Sequence, residues 1–303
     1  MSLTEIQTFT SLEEAVGSLF GEKAGIAGLA RIAGGDINEA YRLELHDGRN
    51  VFLKANRKEN LSFFKAEAEG LGAIARTGAI GVPDILGCGT DGAQGGYAFL
   101  LLEFITSGSR VPDYWETFGH ELAAMHRAEA ADLVSGGKYG FTDDNYIGSR
   151  RQVNRAYDRW TDFFRDCRLG PQFRQAEKYF DRTDLKKADR LLVRTADILT
   201  EPPYPSLLHG DLWSGNVMTG RNGRVWLIDP AAYVGHYEAD LAMTELFGRL
   251  PQRFYDAYRE AAPLQPGYED RRDLYHLYHL LNHLNIFGQT YLSSVKRIMK
   301  KYA

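Results

Sequence analysis

Cysteine is scarce: the 303 residues contain only Cys88 and Cys167, far apart and outside any metal-ligand spacing. That excludes a disulfide scaffold and a cysteine-rich zinc site, and it fits free thiols in a reducing cytoplasm. No uninterrupted apolar run approaches the ~18 residues a membrane helix needs. The opening stretch, MSLTEIQTFTSLEEAVGSLF, lacks the basic region, apolar run and small-residue cleavage site of a signal peptide. Excess positive charge is missing too. Lys+Arg number 36 against 40 Asp+Glu, for a net charge of -4, so no general attraction draws a nucleic-acid backbone or an anionic membrane. Any phosphate must be held by a locally built site. The nucleotide motif G-x-x-x-x-G-K-[ST] does not occur. A G-x-G-x-x-G, at Gly87, Gly89 and Gly92, leads into the strand-like GYAFLLLEF rather than opening a helix, and so reads as a hairpin turn instead of a dinucleotide site.

What is present is an ordinary globular composition, 44% apolar and 25% charged, on a chain long enough for two domains. From Gly25 to about Ile105 the pattern is strand-rich: IAGLARIAGG, AYRLEL and NVFLKAN, then the helix SFFKAEAEGLGAIART, then further strand signals ending in GYAFLLLEFI. Beyond the short polar linker Thr106-Ser107-Gly108-Ser109 the periodicity becomes helical, interrupted by one strand pair, NVM and RVWLID, around a loop of turn formers. The expected fold class is α+β, with two lobes as in protein kinases. Residues 1–105 would form a small antiparallel sheet with one helix, and residues 106–303 a larger, mainly helical lobe.

The chemistry concentrates around that strand pair. LLHGDLWSGNV places His209, Asp211 and Asn216 in the spacing H-x-D-x-x-x-x-N, and Asp229 ends the second strand. Transfer of a γ-phosphoryl group from ATP needs a carboxylate to accept a hydroxyl proton and oxygen ligands to hold Mg2+. Asp211 suits the first role, Asn216 and Asp229 the second. Taken alone, the same residues also read as turn formers in a glycine-rich loop. The other lobe supplies the discriminating signal. Lys54 closes the apolar segment VFLK, as does a lysine that reaches ATP phosphates. In the following helix Phe64, Glu67, Leu71 and Ile74 share one face. A carboxylate on an apolar face needs a cation, and Lys54 is the candidate. Gly34, Gly35 and Asn38 lie in a turn that can lay backbone N–H groups over phosphates. Backbone groups of Glu103 and Ile105, at the junction of the lobes, are candidates for binding adenine.

His276, His279 and His283 fall on one face of HLYHLLNHL, a spacing open to zinc binding, to satisfied core histidines, or to lining an acceptor pocket. Between Asp229 and Asp240 there is no Ser or Thr and little length. This argues against a protein kinase's activation segment and for a small acceptor or a modified side chain.

HGDLWSGN, with IDPA, GHYEADLAM, GGDINEAYRL, YGFTDDNYIG and LLNHLNIFG, resembles the fructosamine kinase (ketosamine 3-kinase) family within the aminoglycoside-phosphotransferase-like group. The resemblance covers nearly the whole chain. It implies ATP-dependent phosphorylation of the 3-hydroxyl of ketosamines, free or on protein lysines, a deglycation activity. It also implies Asp211 as base, Asn216 and Asp229 as metal ligands, Lys54 with Glu67 at the phosphates, and Trp213 near the acceptor. His283 joins Trp213 as an acceptor-side candidate. Two positions depart from the family pattern: Tyr237 stands where Arg is usual, and the loop GGDINEA lacks the cysteine some members carry. Other acceptors (an aminoglycoside, choline, homoserine or a thiosugar) remain open, as does an inactive nucleotide-binding module. Monomer and weak dimer are both compatible with the chain.

Overall fold

The computed structural model describes residues 6–32, 38–92 and 96–303. The first part is a six-stranded sheet in the order β1-β5-β6-β4-β3-β2. It comprises β1 (Thr8–Phe9), β2 (Ile26–Ile32), β3 (Glu39–Leu45), β4 (Asn50–Arg57), β5 (Ile85–Asp91) and β6 (Tyr97–Glu103). Two helices accompany it, α1 (Leu12–Phe20) and α2 (Leu61–Arg76).

Side-chain alternation assigns each face of this sheet a different partner. Val51, Leu53, Phe99 and Leu101 pack with Leu12, Ala15 and Val16 of α1. Ala98, Leu100 and Leu102 point the other way, into a core shared with Phe64, Leu71 and Ile74 of α2. Lys54, one step along from Leu53, falls on the α2 face. Its encounter with Glu67 is thus a consequence of strand periodicity.

The α+β, kinase-like class expected from the sequence holds, with additions. The expected antiparallel sheet has a sixth strand, β1, paired parallel to β5 through Thr8 with Cys88 and Phe9 with Gly89. A second helix, α1, is capped by the Ser11 hydroxyl, which accepts from the Glu14 N–H. Gly87 and Gly89 lie within β5 rather than in a turn. A Cβ on Gly89 would stand 2.2 Å from the Phe9 carbonyl oxygen, so its absence is what lets β1 approach.

The rest is mainly helical: α3 (Tyr114–Arg127), α4 (Trp160–Phe163), α5 (Gly170–Ala176), α6 (Arg182–Ile198), α7 (Glu238–Leu246), α8 (Gln252–Ala261), α9 (Tyr268–Phe287) and α10 (Leu292–Tyr302). A π-helical stretch, Phe164–Leu169, joins α4 to α5. Where one strand pair was expected, three occur, each strand only three residues long. They are β7 (Asn145–Ile147) with β8 (Arg150–Gln152), β9 (Ser206–Leu208) with β12 (Tyr233–Gly235), and β10 (Val217–Thr219) with β11 (Val225–Leu227). Strands this short show no alternation to read. The core under α2 continues without a break into Phe118, Trp160, Leu208 and Leu284, so hydrophobic packing joins the sheet to the helical part. Cys88 and Cys167 are buried and unbridged. Among the described residues, no helix is long and apolar enough to cross a membrane.

Candidate active site

The loop after β9 and the segment after β11 meet through one side-chain and one backbone hydrogen bond. His209 Nε2 donates to the Ile228 carbonyl at 2.9 Å, and the Ala231 N–H donates to the His209 carbonyl at 2.9 Å. His209 is fully buried, and burial holds its pKa below the ordinary value against the pull of Asp240. It is therefore a neutral strut, with Nδ1 accepting from the Asp211 N–H at 3.3 Å.

Asp240, in the first turn of α7, anchors the same loop from beneath. Its carboxylate accepts the N–H groups of His209 (2.7 Å) and Gly210 (2.9 Å) and a bond from His126 Nε2 at 3.1 Å. Burial opposes ionisation, but the His126 bond leads the contacts that hold its pKa down. Sequence reasoning missed Asp240. The available signal was a carboxylate inside the apolar stretch ADLAM, which needs partners for the reason given for Glu67.

Asp211 sits where the loop opens, with about a quarter of its side chain exposed. Asn216 Nδ2 donates to the Asp211 backbone carbonyl (2.8 Å) and to its Oδ2 (3.2 Å). Burial pushes the Asp211 carboxyl up to about 7; Asn216 pulls it back, while Asp229 and Asp240 add to the rise.

Asp229 is the only non-glycine residue of positive φ among those described, at 56°. Such a backbone costs of order 1–3 kcal/mol and persists where its surroundings impose it. Those surroundings are the β7–β8 hairpin. Gln152 Nε2 donates to the Ala231 carbonyl at 3.0 Å and to Asn145 Oδ1 at 2.8 Å, and Asn145 Nδ2 donates to the Ala232 carbonyl at 2.7 Å. Tyr278 of α9 completes the chain by donating to Gln152 Oε1 at 2.6 Å. Neither Asn145 nor Gln152 was singled out in the sequence. Both lie in or beside YGFTDDNYIG, but only the fold brings them to the Ala231 and Ala232 carbonyls that follow Asp229.

From the sheet, Lys54 Nζ reaches Glu67 Oε1 at 2.6 Å and also bonds Asp229 Oδ1. Burial works against the Lys54 charge, but the Asp229 and Glu67 carboxylates overcome it and raise its pKa. Burial raises Glu67 to about 7 against the pull of Lys54. Asn38 Oδ1 accepts from Asn56 Nδ2 of β4 at 2.6 Å. Gly34 and Gly35 lie outside the described residues. The Glu103 N–H donates to the Asp84 carbonyl at 2.9 Å and its carboxylate accepts from the Asp84 N–H, so that amide is already engaged. Ile105 lies two residues beyond the end of β6 and is half-buried.

The three histidines part company. His276 Nε2 donates to the Ala242 carbonyl at 2.8 Å. His279 Nδ1 lies 4.0 Å from Asp211 Oδ1, and burial lowers its pKa to about 3, so a neutral imidazole faces Asp211. His283, the one expected at the acceptor, packs one turn further on against Phe247. Trp213 is exposed beside Asp211. Tyr237, at the position of an expected Arg, is buried against Tyr204 and His236. A buried cation is nonetheless present next to it: Arg271 Nε donates to Glu238 at 2.7 Å.

A buried carboxyl poised near neutrality beside an amide, a second carboxylate and a paired lysine is suited to taking a hydroxyl proton next to a phosphate chain. Comparison with known proteins agrees with that chemistry. The family model described as Fructosamine kinase matches residues 8–303. The protein-ribulosamine 3-kinase, chloroplastic, of Oryza sativa subsp. japonica is 39% identical over 93% of this chain and 80% of its own length. The crystal structure of "Putative fructosamine-3-kinase" from Haemophilus somnus 129PT is 30% identical, with a TM-score of 0.85 over 96% of both chains. An aminoglycoside phosphotransferase solved with AMP-PNP and hygromycin B is only 18% identical, but superimposes with a TM-score of 0.63 over 97% of this chain and 99% of its own. It shares the fold.

Proposed function

The chain belongs to the fructosamine kinase family and is an ATP-dependent phosphotransferase acting on ketosamines, and from that premise we propose how its residues divide the work. Asp211 accepts the proton of the sugar 3-hydroxyl as that oxygen attacks the γ-phosphorus of ATP. The bond from γ-phosphorus to the bridging oxygen breaks, and ADP carries the electron pair away. The observation that carries this reading is the placement of Asp211: its carboxyl stands where the loop opens, about a quarter exposed and bonded by Asn216 Nδ2 at 3.2 Å, and burial raises its pKa toward neutrality, which suits it to take up a proton.

Lys54, held by Glu67, neutralises phosphate oxygens from the sheet side. Asn216 and Asp229 would hold magnesium, whose charge offsets that of the phosphates. The donor set fits a hard cation that keeps phosphate and water ligands. Because Asn216 Nδ2 is committed to Asp211, its Oδ1 is the atom left for a cation. Among the described residues no cluster of three or more His, Cys, Asp or Glu forms a complete protein-only site. The backbone at Glu103 and Ile105 and the loop of Gly34, Gly35 and Asn38 would complete the nucleotide site. In this division residues 1–105 form the nucleotide-binding lobe, and residues 106–303 carry the catalytic and metal-binding side chains and the acceptor site. The buried, unbridged Cys88 and Cys167 suit a reducing compartment such as the cytoplasm.

Phosphorus NMR of the product from ATP and a ribulosamine tests the assignment. The expected signal is a phosphate monoester coupled to the sugar proton at carbon 3. ATP consumption at the same rate with and without the acceptor, and with no phosphate monoester formed at any time, would sink it.

A further inference from the structure

Five rings run in an unbroken chain of contacts beside Asp211. Trp213 meets Phe247 with centroids 6.4 Å apart, and Phe247 meets His283 at 4.5 Å. His283 in turn meets Tyr291 at 5.0 Å and Phe287 at 5.4 Å. The chain is tied to the reacting centre at two points. Trp213 is two residues from Asp211, and His283 is one helical turn beyond His279, which faces Asp211 at 4.0 Å.

Two features separate this wall from ordinary core. Trp213 is 38% exposed and Phe287 51% exposed; with Leu29 and Val193 they are the exposed large hydrophobic side chains of the described residues. Single exposed apolar residues are common, whereas two within one ring cluster beside a reactive carboxylate mark a ligand surface. The second feature is the lack of charge. Burial lowers His283 to about 4, and its buried Nδ1 has no hydrogen-bond partner, so it serves as one more neutral flat ring. Trp213 is braced against bare backbone, since a Cβ on Gly215 would lie 2.4 Å from the indole.

We propose that this wall receives the amine-derived half of the ketosamine and selects adducts whose nitrogen carries an apolar or aromatic stem over those with a short polar carrier. The proposal rests on the ketosamine reading above and deepens it. The adduct has one secondary ammonium, which ring faces accommodate. A stem extending from it gains contact with Phe247, His283 and Phe287, while a hydroxyl or a further ammonium finds no charged partner among the five rings.

The test uses ribulose adducts of phenethylamine and of ethanolamine, which share the sugar and the reacting hydroxyl. The expected result is a kcat/KM at least about tenfold higher for the phenethylamine adduct, the discrimination that one or a few apolar groups bring. Phe287→Ser, at an exposed position, should bring the ratio toward one by raising KM for that adduct, and Val193→Ser, on the exposed face of α6, should not. Equal efficiency for both adducts, or a ratio unmoved by Phe287→Ser, would overturn this proposal and leave the ketosamine reading standing. Transfer to neither adduct would overturn both.

Discussion

Around Lys54 the side chains are charged and paired: one buried ammonium lies between the largely buried carboxylate of Glu67 and the exposed one of Asp229. Around Trp213 and His283 the neighbours are rings that touch one another and carry no charge. Asp211 lies between these ways of building a site, with no cation of its own. The neutral imidazole of His279 faces its carboxylate at 4.0 Å. The difference follows from the ligands. A triphosphate has the same charge in every turnover, so fixed charges can be arranged for it in advance, and they act strongly in a site that excludes water. A carrier amine varies, and rings tolerate variation that a hydrogen-bonding site would reject. In the proposed division the cation stands on the phosphate side, and Asp211 keeps an elevated pKa that suits a base.

The comparison can be broken most directly at Asp211. Asp211→Asn should lower kcat by about 10²–10⁴-fold while leaving the nucleotide affinity largely intact, as read by steady-state rates and nucleotide titration. Unchanged turnover would remove Asp211 from the role of base. On the charged side, Lys54→Met strands the Glu67 carboxylate and should cost about 3–5 kcal/mol of stability, measured as a shift in the denaturant midpoint. Adding Glu67→Gln should recover part of that loss, and no recovery would mean that the pair is not the unit.

pH sharpens the contrast. With Asp211 raised to about 7 and needed ionised, kcat/KM for the acceptor should fall about tenfold per pH unit below that value and level off above it. Stability should move the other way. The folded state binds this proton more tightly than the unfolded chain, so the Asp211 contribution is complete below the ordinary carboxyl pKa and is lost as pH rises through about 7. Asp211→Asn should accordingly be more stable than the parent at pH 8, by about 1–3 kcal/mol, and little different at pH 4. A smaller effect is expected at Gln152→Ala, which frees the Ala231 carbonyl and with it the strained backbone before it. A loss of about 1–3 kcal/mol, together with a weaker response to magnesium in kcat titrations, would identify Gln152 as positioning Asp229. A stability loss with no change in the magnesium response would reduce it to packing.

Much of the site was legible because its members keep fixed spacings in short segments. The H-x-D-x-x-x-x-N of His209, Asp211 and Asn216 lies within one loop, and Asp229 ends a strand that the turn formers announce. Lys54 and Glu67 were linked by an argument about burial, and they do meet, at 2.6 Å. The same argument applied to Asp240 would have found the anchor of the loop. His279 was visible only as one of three histidines, and spacing along a helix cannot say which turn faces the reactive carboxylate. The short strands β1, β7, β8 and β12 were missed because two or three residues carry no alternation. Their pairing is decided by distant partners.

The sequence by itself determined the fold class and the members of the candidate site, because helix and strand periods and loop spacings are local properties of the chain. Only the tertiary structure decided the bridge from Lys54 to Asp229, the hold of Asn145 and Gln152 on the Asp229 segment, and the ring wall from Trp213 to Tyr291. Each joins side chains from elements far apart in sequence, and such contacts arise from packing one shared core, which no local pattern records.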